Sequence, residues 1–141
     1  MKKEKLLCSA CLLGVNCRYD GKTKPNIKVI NLSKNSILVP VCPEQLGGLS
    51  TPRMPSEQLG DKVVTKNGKN VTDNFKRGAQ QVLKLAKMFG IKKAVLKQRS
   101  PSCGCGQIYD GSFKGNIIKG DGVTTELLKN NGIEVLTEEN L

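Results

Sequence analysis

Ala94-Val95-Leu96-Lys97-Gln98-Arg99-Ser100-Pro101-Ser102-Cys103-Gly104-Cys105-Gly106 passes abruptly from an apolar run into small residues, one proline and two thiols. The apolar part, extended to Ile91–Lys97, reads as a short buried strand. The rest is poor packing material, but it suits a site at the carboxyl end of a strand. Immediately upstream, Phe75, Ala79, Val82, Leu83 and Ala86 recur on one helical face. That spacing predicts a helix from Thr72 to about Phe89, with Thr72 as its cap and Gly90 as its stop.

Working outward, the same grammar repeats. Lys5–Leu13 reads as a first strand carrying Cys11 at its end. Ser36–Val41 reads as a second strand running into Cys42-Pro43-Glu44. Gly122–Asn130 reads as a short helix and Ile133–Leu136 as the last strand. Asn26–Ser33 fits either a helix or an irregular crossover, because its β-branched residues weaken the helical reading. Asn67-Gly68, between Lys62–Lys66 and Lys69–Val71, carries the strongest short hairpin signal. Gln107–Lys119 alternates around Asp110-Gly111 as a second small hairpin. Pro43, Pro52 and Pro55 exclude regular structure between Cys42 and Ser56, and a long structured loop of this kind usually serves a site. Strands alternating with helices predict one α/β domain over residues 1–141, with a mainly parallel open sheet and Rossmann-like layering. Its site is expected at the carboxyl ends of the strands, which is where this reading puts Cys11, Cys42 and Cys103, far apart in sequence but able to converge in space.

The chain has 141 residues, 38% of them hydrophobic and 25% charged, which is a composition for a folded core and not for disorder. Only 4% are aromatic, so that core is aliphatic. The net charge of +11 suits anionic partners, yet the lysines are scattered and few aromatics are available for base stacking. No apolar run is long enough to span a bilayer. The start, Met1-Lys2-Lys3-Glu4-Lys5 followed by an apolar stretch, superficially resembles a leader. Cys8 and Ser9 interrupt it and it flows into Cys17-Arg18-Tyr19-Asp20-Gly21, so it is read as the first strand and the protein is expected in the cytoplasm.

Six cysteines and no histidine frame the chemistry. In the cytoplasm thiols stay reduced, and clusters of them mean metal or catalysis. The lack of histidine excludes Cys/His zinc fingers, Cys–His nucleophile pairs and histidine-based triads. Three convergent thiolates suit a soft metal or an iron–sulfur cluster. The spacings Cys8-x2-Cys11 and Cys103-x-Cys105 match neither a ferredoxin run nor a zinc ribbon, and Cys8, inside a strand, reads as a small core residue. Cys17 and Cys105 each fit a spare ligand, a persulfide carrier or a bystander. Glu44 sits beside a thiol as a ligand, a general acid/base or a plain surface carboxylate. Ser100 and Ser102 fit hydrogen bonding to substrate or cluster sulfur as well as ordinary turn chemistry. Arg18 and Asp20 fit an ion pair or a substrate contact.

Three motifs in order carry a family resemblance. They are Cys11-Leu12-Leu13-Gly14 with Arg18-Tyr19-Asp20-Gly21, Val39-Pro40-Val41-Cys42-Pro43-Glu44 with Gly47-Gly48-Leu49 and Pro52-Arg53-Met54-Pro55, and Ser100-Pro101-Ser102-Cys103-Gly104. Together they resemble the thiouracil desulfurase family over nearly the whole chain. The resemblance implies a [4Fe-4S] cluster held by Cys11, Cys42 and Cys103, with the fourth iron open as a thiophilic Lewis acid. It implies non-redox removal of sulfur from a thiolated pyrimidine such as 2-thiouracil. Glu44 and Ser100 are then the acid/base and substrate-orienting residues; Arg18, Asp20 and Ser102 stand as candidate substrate contacts on the reading of the residues themselves. The expected partner is a small thiolated base. Two alternatives stand beside it: sulfur transfer or removal on thiolated tRNA, and a non-enzymatic zinc- or RNA-binding module.

Overall fold

Leu7 and Cys8 are both fully buried, and they face opposite sides of one sheet. They lie on the first strand of the computed structural model, which describes residues 2–141. In chain order the elements are β1 (Glu4–Ser9), α1 (Ile27–Asn31), β2 (Ser36–Val41), α2 (Pro43–Leu46), β3 (Ser56–Leu59) and β4 (Lys62–Thr65). They continue with α3 (Thr72–Phe89), β5 (Lys93–Leu96), β6 (Gln107–Tyr109), β7 (Ile117–Lys119), α4 (Val123–Asn130) and β8 (Glu134–Thr137). The central sheet has four strands in the order β2-β1-β5-β8, all parallel. This is the expected α/β architecture.

Period-two alternation sorts the core into two layers. Leu7, Ala94 and Leu96 pack with Val82 and Ala86 of α3 and Leu128 of α4. Cys8 and Val95 point the other way, towards Val29 of α1 and Leu12. Each aliphatic side chain fully withdrawn from water contributes about 1.5–3 kcal/mol, far more than any helix propensity term, so packing holds α3 in place. Phe75 roots its first turn in a third cluster with Val63 and Val71.

The order of connections locates the crevice. From β1 the chain passes through α1 on one face to β2. It then returns over β1 by way of α3 on the opposite face to β5, and goes on through α4 to β8. The direction of winding therefore reverses between β1 and β5, and the carboxyl ends of those strands open a crevice there. The helix α2 is pinned to α3 by a close approach of backbones. A Cβ on Gly78 would lie 1.9 Å from the Pro43 carbonyl oxygen, and one on Gly47 would lie 2.0 Å from that of Asn74.

Several local expectations are corrected. Lys5–Leu13 is not one strand: after Ser9 the chain tightens into a 3₁₀ turn over Ala10–Leu13. Asn26–Ser33 resolves to α1, whose Val29 amide donates to the Asn26 side chain, followed by a 3₁₀ turn over Leu32–Lys34. Pro43 does not exclude a helix, because it occupies the first turn of α2, where its missing N–H costs nothing. The main hairpin is β3–β4, turning at Gly60-Asp61, while Asn67-Gly68 makes a tighter turn that returns only to the Val64–Asn70 bridge. Thr72 does not cap α3; its hydroxyl accepts the Val63 amide at 2.9 Å and so ties α3 to β4. The β6–β7 hairpin and the left-handed Gly90 stop are as expected.

Candidate active site

A cleft of about 440 Å³ opens over the carboxyl ends of β1, β2 and β5, and its wall includes Cys11, Cys42, Glu44, Ser100 and Cys103. Each is delivered by a strand end. Cys11 sits in the 3₁₀ turn that follows β1, and Cys42 directly precedes α2 at the end of β2. Cys103 lies in the loop that follows β5. Ser9 joins the strand ends, its hydroxyl accepting the Lys97 amide at 2.9 Å.

The thiols hold their protons tightly. Burial pushes the Cys103 thiol up to about 12, and the nearby Glu44 and Cys42 charges add to the shift. The Cys42 thiol is raised by its interaction with Cys17 and then by burial, and its Sγ donates to the Cys17 carbonyl at 3.7 Å. Cys17 is buried, and its own thiol is raised foremost by Cys11. Such thiols ionise together only when a cation compensates them, and that is the behaviour of a soft-metal donor set. Among the described residues, no three Cys, Asp or Glu side chains stand close enough to grip one ion. Iron–sulfur groups are held by thiolates, and Cys11, Cys17, Cys42 and Cys103 on one cleft wall are donors of that chemistry.

The Cys103 loop is rigid by construction. The Ser100 hydroxyl oxygen accepts from the Ser102 amide at 3.1 Å and the Cys103 amide at 3.0 Å, which leaves its own O–H to donate. Thr125 donates to the Cys103 carbonyl at 2.8 Å. Gly122 lets α4 approach this loop, since a Cβ there would fall 2.3 Å from the Ser102 carbonyl.

Glu44 projects from the first turn of α2 and accepts from Arg53 Nε on Oε1 at 3.2 Å. Arg18 also lines the cleft; its guanidinium contacts Asp20 at 3.4 Å and stands 5.5 Å from the Tyr19 ring centre. Asp20 and Ser102 are set back from the cleft wall. Asp20 is spent on Arg18 and the Lys22 amide, and Ser102 is 1% exposed with its hydroxyl on Thr124.

Residues 6–140 match the family model described as 2-thiouracil desulfurase. The chain belongs to the 2-thiouracil desulfurase family. Among solved structures it is similar to the [4Fe-4S]-dependent thiouracil desulfidase TudS, with 45% identity and a TM-score of 0.90 over 99% of this chain and 93% of that one. It is also similar to protein YbbK of Bacillus subtilis (strain 168), 42% identical over 146 residues and covering 96% of this chain and 97% of that protein.

In this family member three contributors escape sequence reasoning. Ser9 lies on the cleft wall, and its hydroxyl ties the end of β1 to Lys97 beyond β5, a partner no sequence spacing names. Glu57 also lines the cleft, and its Oε1 accepts the Gly111 and Phe113 amides at 3.0 and 3.1 Å, holding the β6–β7 turn beside the site. Arg53 carries a signal in Pro52-Arg53-Met54-Pro55, but nothing there names its partners. Cys105 is the reverse case. It packs into the α3/α4 side of the core, its Sγ donating to the Val135 carbonyl at 3.7 Å, away from the cleft. Among the described residues no helix is long and apolar enough to cross a membrane.

Proposed function

We propose that this protein removes sulfur from a thiolated pyrimidine such as 2-thiouracil, using a [4Fe-4S] cluster held by Cys11, Cys42 and Cys103. The observation that carries this reading is the convergence of those cysteines with Glu44 and Ser100 on one cleft at the reversal between β1 and β5. When bound, the cluster supplies a thiophilic Lewis acid at the iron that no cysteine ligates.

The protein's own residues handle protons and orientation. Exchange of C=S for C=O consumes one water and releases hydrogen sulfide, with no change in oxidation level. Glu44 accepts a proton from the attacking water and returns one to the departing sulfur. Ser100 uses its remaining O–H to hold the ring in place. Arg18 contacts the substrate from the rim, braced by Asp20, while Ser102 stiffens the loop that carries Cys103.

Anaerobic reconstitution tests the reading. It is expected to give a brown protein with about four irons per chain. That protein releases sulfide from 2-thiouracil, and Cys42→Ala ends the release. A colourless protein that takes up only zinc overturns it. Tight, salt-sensitive tRNA binding without action on the free base favours the tRNA alternative instead.

A further inference from the structure

Arg53 makes more hydrogen bonds than any other side chain around the cleft, and the proposed reaction leaves it without a part. Its side chain is 7% exposed. Nε donates to Glu44 Oε1 at 3.2 Å, Nη1 to the Ser50 carbonyl at 3.1 Å and Thr51 Oγ1 at 2.9 Å, and Nη2 to the Cys17 carbonyl at 3.0 Å. Its backbone amide donates to the Tyr19 carbonyl at 2.8 Å. One side chain thus joins the first turn of α2, the loop before β3 and the Cys17–Tyr19 segment.

The geometry points to Arg53 as the positioning residue for Glu44, fixing the carboxylate's direction against the segment that carries Cys17. The assignment rests on the reading of Glu44 as the proton-transfer group. A planar guanidinium is suited to this role: its donors leave in fixed directions, so three main-chain or hydroxyl acceptors hold the plane while the fourth bond sets the carboxylate. An ammonium on a flexible stem supplies charge without that fork. Glu44 has few other restraints, since it stands in a helix of only four residues with Gly47 at its end. A carboxylate held by one bond at the right angle is ready for proton transfer, whereas one free to rotate loses most of its near-attack population.

The test is a double-mutant cycle on the reconstituted protein with 2-thiouracil as substrate. R53Q is expected to lower kcat on the order of 10²-fold with KM changed by less than about twofold, iron content unchanged. R53K recovers part of the loss. E44Q alone is severely impaired, and E44Q/R53Q is no slower than E44Q, because the two residues act as one unit. Thermal unfolding of the reduced, cluster-free proteins gives an independent readout, in which the pair is also non-additive. Full activity in E44Q overturns the underlying reading of Glu44. An impaired E44Q combined with an unimpaired R53Q, or with losses that multiply in the double variant, overturns the assignment of Arg53 alone. If R53Q fails to take up iron, R53K carries the test, and wild-type kcat in R53K with full iron overturns the requirement for a fork.

Discussion

The hydroxyls of Ser102 and Thr124 lie 2.7 Å apart and both residues are buried. This bond clips the Cys103 loop to the first turn of α4. Thr124→Val keeps the shape and removes the partner. The loss of a buried hydrogen bond costs about 1–3 kcal/mol. The expected result is a lower urea midpoint for the reduced cluster-free protein, with weaker retention of iron after reconstitution. An unchanged midpoint shows that the clip contributes nothing.

Gly78→Ala opposes two effects. In a helix interior alanine is favoured over glycine by about 1 kcal/mol. Here the new methyl group would stand 1.9 Å from the Pro43 carbonyl oxygen, and overpacking of that kind costs about 1–3 kcal/mol or more. The clash wins, and it acts on α2, whose first turn bears Glu44 and whose preceding residue is Cys42. Thermal unfolding is expected to fall by several degrees, and iron stoichiometry with it. A rise in melting temperature contradicts the backbone contact.

The raised thiols set the response to alkali. Cys8 and Cys103 ionise near 9.0 when exposed and at about 12 in the folded protein, burial being the chief cause for both. Below 9 both states keep these protons, and stability is fully present. As pH climbs from 9 towards 12 the unfolded chain sheds protons that the folded chain retains. Stability is then lost by about 1.4 kcal/mol per pH unit for each thiol. Guanidinium midpoints of the reduced cluster-free protein at pH 8, 9.5 and 10.5 measure this. Cys42 and Cys17, raised as well, add to this slope. Cys8→Ala is expected to lower it by the share of one thiol, about 1.4 kcal/mol per pH unit, and an unchanged slope refutes the assignment.

Cys105 separates ligands from bystanders. Its Sγ is turned to the Val135 carbonyl and the α3/α4 core. Cys105→Ala is expected to leave iron content and sulfide release within about twofold of wild type, at a stability cost of about 1 kcal/mol. Cys17→Ala keeps about four irons if the ligands are the other three cleft cysteines. Loss of two or more irons on replacing Cys105 contradicts its placement.

The elements that were legible in the sequence are those whose signal is local. Ser36–Val41 and Thr72–Phe89 match their expected limits because period and punctuation lie within the segment. The convergence of Cys11, Cys42 and Cys103 was also legible, since each ends an apolar run and parallel strands align such ends. Contacts made across the chain were not. Arg53 reaches Glu44 and Cys17, Gln58 donates to the Pro101 and Asp121 carbonyls at 3.0 and 2.9 Å, and Ser102 turns inward to Thr124. No spacing encodes these partners. Ser102 and Asp20 stand beside motif residues in sequence, while their side chains meet Thr124 and Arg18 in the fold.

The two hairpins meet the rest of the site through Glu57 and Gln58, adjacent residues of one strand. Those side chains grip main-chain groups, and the turn Glu57 holds needs glycine at 111, where a Cβ would fall 2.7 Å from the Gln58 carbonyl oxygen. Tyr109 carries the β6–β7 arm into the cleft wall, so the arm reaches the site through that one side chain while the cysteine-bearing strand ends stay untouched.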